Sequence, residues 1–378
     1  MSEQRQSADA VMGRAVAQAG AGDFGSPGYR EGLERSLSAF ARMPLTPEAR
    51  EAAIEKLTQD LVTRLRIEQW YRNHPQIDAM AVEGPVFVVG LPRTGTTATV
   101  SMLGLDERFR CLRSWEGIDP VPPPIAGQED TDPRAVAARA AAKDYDKSHM
   151  HLFDPDGSQE DLAFLAGLDM HSYHGAYPTP EDYLSWWLAE DFGSTYAYLE
   201  RVFKLLHSQR PPRLWLLKSP PHLFRLDAIV RQFPNARFVM THRDPLKVLG
   251  SVASLHYTLY SERCVAGSIS KEEVGPILLR FWTEGMRRAM AARERLGEDR
   301  FIDVHNDEVV NRPLEAFERV YAHLGLSLTA ELRRRLAAYN STNAPGTFGA
   351  HRYTLEEYGL TADRVREGFA SYLKRFSF

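Results

Sequence analysis

The chain lacks most of the features that would place it in a specialised class of protein. It has two cysteines, Cys111 and Cys264, far apart and without metal-ligand spacing, which argues against a disulfide scaffold and a zinc site. No apolar run approaches the roughly 18 residues of a membrane span, and residues 1–20 lack the pattern of a secretory signal. The net charge of −4 gives no general attraction to nucleic acid or anionic membranes. We therefore expect a cytoplasmic protein whose binding signals are short motifs.

Four apolar segments rich in β-branched residues are each followed by a loop and a helical pattern. They span residues 85–90, 213–220, 237–245 and 300–308. Strands that alternate with helices predict an α/β fold, in which a central parallel sheet carries helices on both faces. Ligands of such sheets bind beyond the carboxyl ends of the strands. A glycine loop follows the first segment, and "KSPPH" and "HRDP" stand at the carboxyl ends of the second and third.

The composition also indicates how the chain is divided. Residues 1–27 are rich in Ala, Gly and Ser and have weak periodicity, which predicts a flexible arm. An N-terminal helical segment is expected over residues 28–82. The α/β domain then covers residues 83–378, with an aromatic-rich helical insertion at about 120–200. The helical pattern of residues 361–378 predicts a tail that packs back on this domain.

The glycine loop after the first segment, residues 90–97, has the G-x-x-x-x-G frame of a phosphate-binding P-loop. Its backbone N–H groups and the start of the following helix favour an anion. Thr96 stands where a P-loop has its lysine, so a kinase or ATPase lacks its main cation here. The arginine of the loop can bind a tetrahedral oxyanion through two hydrogen bonds. The candidate anion-binding residues are Arg93, Thr94, Gly95, Thr96 and Thr97.

A second basic cluster follows the third segment. Asp244 and Pro245 have the sequence of a helix cap and a first helical position, which places Arg243 at a helix entrance. Ser251 follows Arg243 by eight residues, about two helical turns. The guanidinium and the hydroxyl could therefore share one phosphate.

Together, "PRTGTT" (92–97) and the Arg243–Ser251 pair resemble the motifs of sulfotransferases that use 3′-phosphoadenosine 5′-phosphosulfate (PAPS). The resemblance spans most of residues 84–350 and is closer to the bacterial small-molecule enzymes than to the animal cytosolic ones. It implies a P-loop-like sulfotransferase fold, a loop that holds the 5′-phosphosulfate, and a 3′-phosphate held by Arg243 and Ser251. Arg352 in "PGTFGAHRY" is a further implied phosphate contact. Adenosine 3′,5′-bisphosphate would be the product.

The resemblance also implies catalytic roles. Arg93 and Lys218, the latter in "LLKSP", would be the cations at the leaving group, with Ser219 assisting. Because a sulfuryl group carries less charge than a terminal phosphoryl group, no metal is required. Glu116 is favoured as the general base, and His222 is the competing candidate. Another residue is left open, and the further histidines considered are His149, His151, His171 and His174.

The acceptor is expected to be a small hydroxylated molecule. Residues 145–199 are dense in aromatic, histidine and methionine side chains, which suits a phenol, sterol or lipid alcohol, although most of these side chains should pack the core. A homodimer is left open. Two alternatives are a nucleoside-triphosphate-dependent kinase or NTPase with Asp303 as its magnesium ligand, and a nucleotide-binding protein without catalysis.

Overall fold

The computed structural model describes residues 7–143, 154–211, 213–342 and 353–378, with side chains up to residue 339 in the third range. The strands of these ranges are β1 Val86–Gly90, β2 Phe109–Cys111, β3 Leu214–Lys218, β4 Arg237–His242 and β5 Phe301–His305. The α-helices are α1 Ala8–Ala19, α2 Tyr29–Arg42, α3 Pro47–Asn73, α4 Thr96–Leu103, α5 Ser114–Ile118, α6 Pro133–Ala142, α7 Asp161–Leu165, α8 Glu181–Ala189, α9 Gly193–His207, α10 Leu226–Gln232, α11 Pro245–Ser261, α12 Lys271–Leu296, α13 Asn306–Asn311, α14 Pro313–His323, α15 Ala330–Thr342, α16 Ala362–Gly368 and α17 Ala370–Phe376. Short 3-10 helices span Pro75–Ala79, Ala166–Asp169, Pro220–Phe224, Glu298–Arg300 and Glu356–Tyr358.

The strands form a parallel sheet in the order β2-β3-β1-β4-β5, which confirms the predicted α/β fold class. The four predicted strands are present, each shorter than its predicted segment at one or both ends. The sequence did not predict β2, because it is three residues long and the polar Arg110 interrupts it. Since β1 lies between β3 and β4, the loops that follow these three strands meet at one edge of the sheet.

Two apolar layers cover the sheet. Phe87 and Phe238 face one layer, which contains residues of α9, α10 and α12. Val88 and Val239, the next residues along the same strands, face the other layer, which contains residues of α4, α14 and α15. Because side chains alternate between the faces of a strand, burial on both sides requires the continuous apolar runs seen in the sequence.

The N-terminal helices have an apolar core of their own, formed mainly by α1, α2 and α3. Residues 8–19 form α1, whose Val11 and Ala15 are fully buried, and this differs from the flexible arm predicted for residues 1–27. The small residues of α1 give little periodicity in the sequence, but they allow the helix to lie close against α3. At the other end of the chain, α17 packs back on the sheet domain as predicted, with Tyr372 and Phe376 buried.

Among the helices of the described ranges, none is long and apolar enough to cross a membrane.

The close approach of α2 to the backbone at Met170 depends on Gly32. A Cβ atom at this position would lie 2.1 Å from the carbonyl oxygen of Met170. We expect Gly32→Ala to lower the free energy of unfolding by about 1–3 kcal/mol, because the backbone must move apart. Gly13→Ala in α1 is the control: nothing lies within 4 Å of its Cβ, so helix propensity should raise stability by about 0.5–1 kcal/mol. Urea unfolding of both variants measures the difference, and equal midpoints would contradict the packing.

Candidate active site

The loop between β1 and α4 is braced by its own backbone and by β4. Arg93 and Gly95 both have left-handed backbone conformations, with φ of 67° and 92°. The Thr94 hydroxyl donates to the carbonyl oxygen of Leu91 at 2.6 Å and lies 2.7 Å from the Thr241 hydroxyl. Thr94 is fully buried, and the contacts of its hydroxyl hold the loop in place.

Gly95 cannot be replaced without disturbing the loop. Its φ of 92° suits glycine, and a Cβ atom would lie 2.6 Å from the Asn306 side-chain nitrogen. That Asn306 nitrogen donates to the carbonyl oxygen of Thr94 at 3.4 Å. The sequence analysis missed Asn306; the available signal was a polar side chain directly after a strand at the carboxyl edge.

Arg93, Arg243 and Ser251 form one contact group, here called the arginine–serine group. Arg93 Nε donates to Ser251 Oγ at 3.1 Å, and Arg243 Nη1 donates to the Arg93 carbonyl oxygen at 3.1 Å. The left-handed turn at Arg93 thus brings its side chain and its carbonyl to the entrance of α11. The glycine-loop motif and the Arg243–Ser251 motif therefore lie in contact, although Arg93 and Arg243 are 150 residues apart in the sequence.

The start of α11 fixes two members of this group. Leu246 N–H donates to the Asp244 carboxylate at 2.9 Å, and Pro245 is the first helical residue, as the sequence predicts. Arg243 therefore lies just before the helix, while Ser251 is buried two turns further along it.

The arginine–serine group carries positive charge without a counter-ion. Among the described residues, no carboxylate lies within 4 Å of the Arg93 or Arg243 guanidinium nitrogens. Desolvation lowers the pKa of Arg93, and the neighbouring Arg243 acts in the same direction. Both effects on Arg93 express the cost of holding a cation here, which a bound anion would offset. The group is therefore suited to a phosphate or sulfate.

Lys218 forms a second group on the other side of the loop, at the end of β3. Its Nζ lies 3.1 Å from Glu160 Oε1 and 3.4 Å from Thr97 Oγ1, and the lysine is only 2 % exposed. The side chain of Thr97 is exposed, unlike those of Thr94 and Thr96. We call Lys218, Glu160 and Thr97 the lysine–glutamate group.

Two cavities meet at Glu160. A cleft of about 630 Å³ is lined by Thr97, Lys218 and Glu160 together with several arginines. A smaller chamber of about 80 Å³ has mainly apolar walls, including Tyr173 and Trp187, and Glu160 also lines it. The carboxylate therefore stands where a polar cleft passes into an apolar chamber. No sequence motif marks Glu160, because its link to the loop exists only in three dimensions.

The geometry at Glu116 does not suit the predicted general base. Its side chain is fully buried, with Oε1 at 3.0 Å from Arg110 and 3.2 Å from Arg210. Oε2 accepts the Arg113 backbone N–H at 3.2 Å. This burial comes with two arginines that both contact Oε1 and neutralise the charge of the carboxylate. Glu116 holds these cations beneath the cleft.

His222, the competing candidate, is also fully buried, with Nδ1 hydrogen-bonded and Nε2 close to a carboxylate but not aligned for a hydrogen bond. Its Nδ1 is 2.8 Å from the Tyr196 hydroxyl, and its Nε2 is 2.8 Å from Asp161 Oδ1. The other oxygen of Asp161 accepts the Lys218 backbone N–H at 2.8 Å. His222 thus supports the strand end that carries Lys218, and Ser219 beside it is buried at the chamber wall.

Other predicted residues are distributed as follows. His171 lines the small chamber, and burial lowers the pKa of His174 to about 3. Arg352, His149 and His151 lie outside the described residues. Tyr353, next to Arg352 in the chain, contacts the backbone region of Gly250, one residue before Ser251.

Asp303 does not have the surroundings of a free magnesium ligand. It lies 2.8 Å from His242 and 2.6 Å from Arg293. Burial opposes its ionisation, but the hydrogen bonds from His242 and Arg293 outweigh this and hold the pKa of Asp303 well below its ordinary value. Within the part of the chain that the structure describes, no three His, Cys, Asp or Glu side chains are grouped to hold a metal ion.

At the carboxyl edge of the parallel sheet, a strand, a glycine loop and a helix bring cations together in a P-loop-like arrangement suited to an anion. Comparison with known proteins identifies the family. The model of the Sulfotransferase family matches residues 85–330. The chain therefore belongs to the sulfotransferase family, and it is an enzyme of that class.

Individual relatives agree with this assignment. The crystal structure of sulfotransferase STF9 from Mycobacterium avium has a TM-score of 0.91 and 31 % identity, covering 100 % of this chain and 98 % of that one. STF1 from Mycobacterium tuberculosis H37Rv has a TM-score of 0.82 and 27 % identity, covering 97 % and 98 %. The omega-hydroxy-beta-dihydromenaquinone-9 sulfotransferase of Mycobacterium tuberculosis is 22 % identical over 311 residues, which are 80 % of this chain and 77 % of that protein.

The structural role of Glu116 can be measured directly. We expect Glu116→Gln to lower the free energy of unfolding by about 3–5 kcal/mol, because two buried arginines lose their carboxylate. Glu129→Gln is the control, since Glu129 is a more exposed partner of Arg210 at 3.3 Å and should cost less than about 1 kcal/mol. Chemical unfolding of the two variants gives the comparison. A fully stable Glu116→Gln variant without turnover would restore Glu116 as the base.

Proposed function

We propose that this sulfotransferase uses PAPS as its donor. The observation that carries the proposal is the arginine–serine group, in which two guanidiniums without a counter-ion among the described residues lie with a buried hydroxyl beside the glycine loop. A 3′-phosphate would accept from Arg243 and Ser251, while the backbone N–H groups of residues 94–97 would receive the 5′-phosphosulfate. Arg93 reaches toward Ser251, so its charge would act between the two phosphate positions.

The lysine–glutamate group would perform the transfer. The acceptor oxygen attacks sulfur, the bond from sulfur to the bridging oxygen breaks, and adenosine 3′,5′-bisphosphate leaves. Lys218 would stabilise the negative charge that develops on the leaving oxygen. Glu160 would take the proton of the acceptor hydroxyl, because it is the partly exposed carboxylate beside Lys218 and Thr97. We therefore assign the base to Glu160 in place of Glu116 and His222.

The acceptor would be a small apolar alcohol. The chamber behind Glu160 has aromatic and aliphatic walls, so it would receive carbon atoms next to the reacting hydroxyl. The Mycobacterium tuberculosis relative is named for an omega-hydroxylated dihydromenaquinone, which is a hydroxylated apolar acceptor. A cytoplasmic location, a homodimer, the domain boundaries and the phosphate contact of Arg352 stay predictions.

Donor binding tests the first part of the proposal. We expect adenosine 3′,5′-bisphosphate to bind without magnesium, and Arg243→Ala to weaken it about 10- to 150-fold, because a charge-assisted hydrogen bond to phosphate is lost. Lys247→Ala is the matched control, since it removes an exposed cation one turn along α11. Isothermal titration calorimetry measures both variants. Binding of ATP with magnesium, together with indifference to the 3′-phosphate, would instead favour the kinase alternative.

The role of Glu160 is tested by turnover. Glu160→Gln should reduce sulfuryl transfer by a factor of about 10² to 10⁴, with the affinity for adenosine 3′,5′-bisphosphate retained. Glu107→Gln is the control, because Glu107 lines the same cleft but is exposed and lies outside the lysine–glutamate group. Radiolabelled PAPS and a panel of phenols, sterols and lipid alcohols supply the assay. If Glu160→Gln turns over at the wild-type rate, the base is another residue.

A further inference from the structure

The C-terminal helix α17 lies against the end of β4, directly beneath the arginine–serine group. His242, the last residue of β4, precedes Arg243 in the chain. Its Nδ1 is 3.1 Å from the Tyr372 hydroxyl, and its ring stacks on Phe376 with a centroid distance of 3.8 Å. His242 and Tyr372 are both buried. The tail of the chain thus contacts the strand end that carries Arg243.

The hydrogen bonds of His242 have a defined direction. Asp303 is ionised and held by Arg293, so it can only accept, and His242 Nε2 donates to it at 2.8 Å. Burial lowers the pKa of His242 and keeps the ring neutral. Its Nδ1 must then accept, and the Tyr372 hydroxyl is the donor. This hydrogen bond ties Tyr372 to the residue that directly precedes Arg243 in the chain.

We propose that Tyr372 is a positioning residue for the 3′-phosphate of the donor, which it serves by fixing the peptide between His242 and Arg243. The inference rests on the proposed use of PAPS. Arg243 in turn donates to the carbonyl oxygen of Arg93, so the placement of this peptide reaches both guanidiniums of the arginine–serine group.

Among the described residues, the side chain that hydrogen-bonds the Tyr372 hydroxyl is His242. A phenylalanine would fill the same volume and keep the contacts with Phe369 and Phe376. Burying a hydroxyl in an apolar layer is unfavourable unless it is hydrogen-bonded. The partner that offsets this cost, His242, is at the strand end before Arg243, which indicates a role in placing that residue.

The end of β3 carries a comparable arrangement. There Tyr196 contacts His222, and His222 contacts Asp161, which accepts the Lys218 backbone N–H. This second network supports the residue expected at the sulfuryl end of the donor. It provides a matched variant, since Tyr196→Phe removes the same hydroxyl from a strand end that does not contact the arginine–serine group.

The experiment compares two nucleotides by isothermal titration calorimetry. Adenosine 3′,5′-bisphosphate carries the 3′-phosphate, and adenosine 5′-phosphate lacks it, so the ratio of their dissociation constants reports on the 3′-phosphate contact alone. We expect Tyr372→Phe to reduce the preference for the bisphosphate about tenfold, the effect of losing one hydrogen bond. The affinity of Tyr372→Phe for adenosine 5′-phosphate should stay within about twofold of the wild-type value. In Tyr196→Phe, the preference for the bisphosphate should also stay within about twofold of the wild-type preference.

The outcomes separate this inference from the proposed function. A wild-type chain that binds both nucleotides equally would overturn the PAPS assignment and this role together. Two results would overturn only the role of Tyr372. In the first, Tyr372→Phe keeps the wild-type preference for the bisphosphate; in the second, it loses affinity equally for both nucleotides. If Tyr372→Phe does not fold, His242→Phe is the second variant, because it keeps a ring on Phe376 and removes the acceptor of the tyrosine proton. His242→Phe should show the same selective loss of affinity for the bisphosphate. An unchanged preference for the bisphosphate in this variant would again overturn the role of Tyr372.

Discussion

The pairing of β1 with β4 is the constraint on which the rest of the site depends. In this parallel register Gly90 lies opposite Thr241, so the glycine loop and the strand end that carries Arg243 emerge side by side. The contact between the Thr94 and Thr241 hydroxyls then ties the loop to β4. A shift of one residue in this register would turn the strand faces over and separate Arg93 from Arg243 and Ser251.

The parts of the molecule that depend on local sequence could be predicted. Neighbouring residues determine the apolar strands, the glycine loop and the cap at Asp244, so these could be predicted. Arg243 and Ser251 lie on one short strand–helix unit and could be predicted for the same reason. The choice of a base could not be made this way. Whether Glu116 or His222 is accessible depends on Arg210 and Asp161, which are distant in sequence. Glu160 has no motif of its own, and its position beside Lys218 arises only when the chain folds.

This fold keeps two kinds of arginine charge apart. Beneath the cleft, Arg110 and Arg210 share the carboxylate of Glu116, so their charges are neutralised within the protein. At the glycine loop, Arg93 and Arg243 have no such partner among the described residues. Ion pairs of the first kind maintain the structure, whereas cations of the second kind stay available to a ligand.

The unneutralised pair has a thermodynamic consequence for the empty enzyme. Arg93 and Arg243 repel one another, and desolvation already disfavours the charge on Arg93. A bound dianion would remove both costs, so part of its binding energy is relief of repulsion within the protein. If the proposed donor binds there, ligand affinity and fold stability are linked through the same charges, and binding raises the free energy of unfolding.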